Sequence, residues 1–176
     1  MNAYELWLQD NHLGAVRRRE SLAGGCISDV SRLYLSGGPS LIVKTQAQAA
    51  GNIFWAEAES LQALAAVEAI RIPEVIHACE DFLLLEDLGS QSPGPGFHES
   101  LGAQLAALHS HHQPLFGFSL DNYCGATPQN NQTDPDGFRF FGERRLLALA
   151  LQAHARNLLS SAELKQVESI ATHLEQ

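Results

Sequence analysis

Gly24-Gly25-Cys26-Ile27-Ser28, Lys44 and the acidic residues Glu57 and Glu59 are the positions whose types and spacing could do chemistry. Glycine lets backbone approach an anion closely, and successive N–H groups in such a turn can bind phosphate oxygens. A Gly-Gly pair that only turns a hairpin is spelled the same way. Lys44 ends the apolar run Leu41-Ile42-Val43. Directed inward, its ammonium needs a carboxylate or a phosphate, because an unpaired buried charge is strongly destabilising. Directed outward, it is an ordinary edge lysine in water. Glu57 and Glu59 are two apart on a helical pattern, so they point to different sides. Glu57 stands three residues after Phe54 and four before Leu61, on the apolar stripe, whereas Glu59 shares its side with Gln62, Ala63 and Ala66. A carboxylate on an inward stripe wants a cation, so Glu57 is the expected partner of Lys44. The alternative makes both glutamates exposed helix charges.

These residues need elements to hold them. Residues 3–12 read as a short amphipathic helix closed by Gly14. Val16 to Leu22, Val30 to Leu35 and Leu41 to Lys44 read as three antiparallel strands joined by the turns Gly24-Gly25 and Gly37-Gly38-Pro39. Residues 53–68 are helical, with Phe54, Leu61, Leu64 and Ala65 as the apolar face. Val75 to Ala78 and Phe82 to Leu85 are two more strands, and Glu86-Asp87-Leu88-Gly89 follows at once. Ser90 to Gly96 is the clearest linker. Helices are expected over 97–112 (with Leu101, Leu105 and Leu108 on one face), 138–158 and 162–175, around a long ordered loop at 113–136. Glycine turn, strand lysine, helix glutamate, two strands and hinge follow in the order of a kinase amino-terminal lobe, where the lysine holds the α- and β-phosphates of ATP and the glutamate orients it. The expected fold is therefore α+β. A five-stranded antiparallel sheet with one helix forms an ATP-binding lobe over 1–89, a hinge or linker spans 90–96, and an incomplete helical lobe spans 97–176.

Composition narrows the partners. The 176 residues are 45% hydrophobic, enough for a core. A net charge of -9 disfavours nucleic acid, whose phosphates demand clustered Lys and Arg. The three cysteines are widely spaced and suggest neither a disulfide framework nor a zinc cluster. No secretory signal is evident at the N-terminus and no apolar run approaches the roughly 20 residues of a membrane helix, so a cytoplasmic protein without membrane contact is expected. His109 and His112 could share a helix face, but without carboxylate or cysteine partners they make a poor metal site. Asp134-Pro135-Asp136-Gly137 lacks the further ligands of a calcium loop and reads as a turn.

Longer motifs carry a family resemblance. Gly24 to Ser28, Ile42-Val43-Lys44, Phe54 to Leu61, Ile72-Pro73-Glu74-Val75, Leu84 to Gly89, Leu101 to His109, Phe116-Gly117-Phe118 and Asp121 to Gln129 resemble the fructosamine (ketosamine) kinases over nearly the whole chain. The resemblance implies a fold similar to aminoglycoside phosphotransferases and transfer of the ATP γ-phosphate to a sugar hydroxyl of a ketosamine, either a small molecule or a glycated protein. It implies that Gly24, Gly25, Cys26, Ile27 and Ser28 form the phosphate loop and that Lys44 binds phosphates. It also implies that Glu57 is the helix glutamate and that Glu86, Asp87 and Leu88 are the hinge whose backbone meets adenine. Some relatives carry a redox-sensitive cysteine in that loop, so Cys26 is either a regulatory thiol or a small loop residue without a role.

Two departures stand out. Gly137 occupies the place of a family tryptophan ahead of Phe140-Phe141, which should loosen the packing of the long loop. The family segment His-Gly-Asp-Leu-Trp-Ser-Gly-Asn and its later Asp-Pro-Ala metal motif do not occur in these residues. The base and the Mg2+ ligands are thus expected beyond Gln176, and the 176 residues alone are expected to be inactive. A pseudokinase or an interaction module that self-associates through an uncovered helical surface are the rival expectations.

Overall fold

Side-chain direction along one short strand decides the first unit. Phe82 and Leu84 point to one face and Leu83 and Leu85 to the other, and all four are buried. A strand buried on both sides must lie inside a sheet that is covered twice. The computed structural model, which describes residues 1–23, 28–47 and 51–175, shows such a sheet. Strands β1 (Val16–Ser21), β2 (Asp29–Leu35), β3 (Leu41–Thr45), β4 (Val75–Ala78) and β5 (Phe82–Glu86) pair antiparallel in the order β1-β2-β3-β5-β4. Helix α1 (Ala3–Asp10) covers one face with Tyr4 and Leu8, which pack on Leu33, Leu41, Val43, Phe82 and Leu84. Helix α2 (Ile53–Ala65) covers the other with Phe54 and Ala58, against Ala78, Leu83 and Leu85. Each fully buried leucine here contributes about 1.5–3 kcal/mol.

The buried face of α2 is set somewhat differently from the expectation. Phe54, Ala56 and Ala58 are buried and Leu61 is half-buried, but Leu64 and Ala65 are exposed. The physical reason is reach. Ile53, Phe54, Ala58 and Leu61 make the packing on the sheet, and the last turn runs past it. Helix α3 (Phe97–His109) completes this unit, which extends from Met1 to His111. None of its residues is buried, so Leu101, Leu105 and Leu108 form a face that lies largely open.

The second unit, His112–Gln176, is organised by polar side chains as much as apolar ones. The 113–136 segment is not simply a loop. It contains the hairpin β6 (Asn122–Cys124) and β7 (Thr127–Gln129), turned at Gly125 with φ +63°, and a reciprocal backbone bridge between Phe116 and Asp134. Buried Asn131 donates from its side chain to the Leu120 carbonyl at 2.9 Å, its own N–H meets Asp121 at 2.7 Å, and Arg145 donates to its amide oxygen. Asp136 caps α4 (Gly137–Phe141) by accepting from the Arg139 N–H. The ring of Phe116 fills the space over Gly137: a Cβ there would lie 2.5 Å from its Cζ. Beside it a recess of about 760 Å3 opens among Phe138, Phe141 and Leu174.

The expected helix at 138–158 is three pieces. A π-helical stretch, Gly142–Leu147, separates α4 from α5 (Ala148–Ala155). Gly142 permits it: α6 (Ser161–Thr172) crosses so closely that a Cβ at 142 would stand 2.7 Å from the Ala171 carbonyl oxygen. A wide turn at such a contact shifts the helix to fit its neighbour.

Candidate nucleotide site

Lys44 reaches the α2 face because β3 alternates. Leu41 and Val43 go into the α1 core, so Ile42 and Lys44 point the other way. There Lys44 Nζ donates to both carboxylate oxygens of Glu57, at 2.6 and 2.7 Å. The side chains keep 23% and 31% of their surface in solvent, so the ion pair is accessible to a ligand rather than sealed in the core. The partner that helical spacing selects is the one that forms the pair, and Glu59 lies on an exposed side of α2.

Register brings the other expected residues to the two ends of this face. Val30 pairs with Lys44 across β2 and β3, and half-buried Ser28 lies two residues before it. Gly24, Gly25, Cys26 and Ile27 lie outside the described residues. At the far end of β3, Leu41 pairs with Glu86, so the expected hinge begins three residues, about 10 Å, along the strand from Lys44. Ile42 lies between on the same face and Val30 stands beside Lys44, both half-buried. Among the described residues this gives a cation at one end, an apolar floor, and exposed main chain at the other.

Hinge side chains are already engaged. Glu86 accepts from Arg71 and from the Glu74 N–H at 3.1 Å. Asp87 accepts four hydrogen bonds, from Arg32 Nε at 2.6 Å, Arg32 Nη2 at 3.1 Å, Ser40 Oγ at 2.6 Å and the Gly89 N–H at 2.9 Å. Burial raises its pKa, but the bonds from Ser40, Arg32 and Gly89 outweigh this and hold the carboxyl below its ordinary value. Neither carboxylate is therefore free for a ligand, which leaves the main chain. Leu88 is half exposed, and its backbone makes no hydrogen bond among the described residues. Arg32 and Ser40 were not legible as site residues, since their partner lies 55 and 47 positions away with no periodicity to join them.

The pattern of the family described as fructosamine kinase matches residues 2–176. The chain belongs to the fructosamine kinase family. Among its relatives, a candidate ketoamine kinase of Synechocystis is 38% identical over 146 residues, 77% of this chain and 48% of the relative. The chloroplastic protein-ribulosamine 3-kinase of Arabidopsis thaliana is 34% identical over 135 residues, 72% of this chain and 40% of the relative. The chain thus spans about half the length of the curated relatives it matches. A crystal structure of a candidate fructosamine-3-kinase from Thermobifida fusca superposes with a TM-score of 0.86 at 26% identity, covering 99% of this chain and 62% of that one. APH(2″)-IIa in complex with gentamicin shares the fold at a TM-score of 0.55 and 14% identity, covering 98% and 57%. The α+β kinase-like architecture is that of these neighbours.

Other expectations concern ligands and compartment. Among the described residues no three His, Cys, Asp or Glu side chains converge on a point that could hold a metal, so the structure offers no ligand set to which Mg2+ can be assigned. No described helix is long and apolar enough to cross a membrane.

Proposed function

We propose that this fructosamine kinase chain is the nucleotide-binding half of an ATP-dependent phosphotransferase acting on ketosamines, whether small glycated amines or glycated proteins. The observation that carries the reading is the partly exposed Lys44–Glu57 ion pair, facing the same side of the sheet as Val30 and Ile42 and one strand length from the hinge. In this reading Lys44 holds the phosphates of ATP, Glu57 keeps the ammonium aimed, Gly24, Gly25, Cys26, Ile27 and Ser28 supply loop N–H groups, and the main chain of Glu86, Asp87 and Leu88 meets the base. Bound Mg-ATP would supply the phosphoryl group and the counter-charge for its transfer. In this reading residues 1–89 are the nucleotide lobe, 90–96 the linker and 97–176 part of the helical lobe, with α3 lying in the same compact unit as the nucleotide lobe.

No His-Gly-Asp segment occurs among the 176 residues. The chain assayed alone should therefore bind nucleotide without turning over a ketosamine. Calorimetric titration with ATP tests the reading: the chain binds, and Lys44→Ala weakens binding at least tenfold, the loss of a hydrogen bond to a charged group. Unchanged binding in Lys44→Ala would leave the fold without this role and favour an interaction module.

A further inference from the structure

The side of the sheet that carries Lys44 carries a second cation. Val30 and Arg32 alternate with Ser31 and Leu33, which are buried toward the α1 side, so Arg32 shares a face with Ile42 and Lys44. Lys44 is answered by a helix, and Arg32 by the hinge. The Arg32–Asp87 contact is bidentate, and the two side chains retain only 11% and 5% exposure. Such planar, two-point pairing fixes direction as well as distance. Ser40, immediately before β3, adds a third fixed point, and the Gly89 N–H returns the chain onto the same carboxylate at φ +82°, where a side chain would be strained.

We infer that Arg32, Ser40 and Asp87 form a positioning clamp for the base end of the nucleotide site. Resting on the nucleotide reading above, the inference extends it from the phosphates to the purine. All four hydrogen bonds to Asp87 come from the protein itself, so its carboxylate touches no ligand. Its work is indirect. Residues 87 and 89 are tied to each other and to β2 and β3, and Leu88 stands between them with its peptide groups unused among the described residues. Those groups are what a purine edge, with a ring nitrogen acceptor beside an amino donor, could pair with. A fixed Leu88 peptide avoids the ordering cost that a loose hinge would impose on each binding event.

The test compares two probes on the 176-residue chain by calorimetry, ATP and inorganic tripolyphosphate, the latter having no base. Asp87→Asn, which replaces one accepting oxygen by a donor, should raise the Kd for ATP about tenfold, and Ser40→Ala about threefold, with the tripolyphosphate Kd unchanged in both. Ser40→Ala keeps the ion pair and so reports even where Asp87→Asn is poorly folded. A loss shared equally by ATP and tripolyphosphate, or no loss for ATP, overturns the clamp. So does an unaltered chain that binds ATP no better than tripolyphosphate, though Lys44 would then keep its role. An unaltered chain that binds neither probe overturns the nucleotide reading and the clamp together.

Discussion

Replacing Glu57 by glutamine sets two electrostatic effects against each other. The carboxylate holds the Lys44 ammonium through both oxygens, at 2.6 and 2.7 Å. It is also a negative charge near any phosphate that Lys44 binds, so its removal relieves some repulsion. Orientation should win, because the ammonium contact is direct whereas a phosphate oxygen lies beyond Nζ, with solvent reaching both side chains at 23% and 31% exposure. For a pair so partly screened, Glu57→Gln should lower folding stability by about 1 kcal/mol. ATP affinity should fall about tenfold, or about 1.4 kcal/mol, as the ammonium loses its fixed aim. Lys44→Ala removes the charge itself and should cost more. The double variant should then resemble Lys44→Ala alone, since the glutamate acts only through the lysine. Denaturant unfolding and calorimetric ATP titration of the four proteins measure both quantities. Tighter ATP binding in Glu57→Gln, or additive losses in the double variant, would refute the argument that this glutamate aims the lysine.

Further expectations concern packing and pH. Gly142→Ala would ordinarily stabilise a helix by up to about 1 kcal/mol, but the new methyl would meet the Ala171 backbone oxygen at 2.7 Å and Leu174 at 3.2 Å. Overpacking of about 1–3 kcal/mol should prevail, seen as a lower denaturant midpoint. Asp134 is held at a pKa of about 2 by its hydrogen bonds from Arg139 and the Asp136 N–H. Because the folded value is below the unfolded one, near 3.8, its contribution is complete above about pH 4 and is lost as pH falls toward 2. Acid unfolding of Asp134→Asn should accordingly lack that part of the slope. His77 is stacked on Trp7 at 4.4 Å, and burial lowers its pKa from 6.5. The neutral ring is the folded form, so thermal stability should decline as pH drops below about 6.5, and His77→Phe should flatten the decline.

What could be read from the residues is what local periodicity records. The apolar run Phe82 to Leu85 reads as a strand, and the three-residue step from Phe54 to Glu57 selects the partner of Lys44 from the sequence alone. The β6–β7 hairpin was hidden because three-residue strands, one of them containing Pro128, are too short for alternation to register. The π-helical stretch was hidden because its cause lies in α6, some thirty residues on, where the Ala171 carbonyl presses on Gly142.

The hinge illustrates the same division within a single residue. Asp87 is visible in the sequence as part of a family motif, and its backbone place at the end of β5 follows from the strand before it. Its side chain is decided by Arg32 and Ser40, which register alone brings near: Arg32 sits opposite Ile42, and Ser40 precedes the Leu41 that pairs with Glu86. A motif read by itself places the Asp87 backbone in the hinge and leaves its carboxylate unassigned. Four protein hydrogen bonds assign it to the framework, because a carboxylate oxygen that already accepts two has little left to offer a third donor. In the proposed nucleotide reading, recognition at this end of the face would therefore fall to the main chain, which any sequence can supply, and selectivity there would depend on how rigidly Arg32, Ser40 and Asp87 hold it.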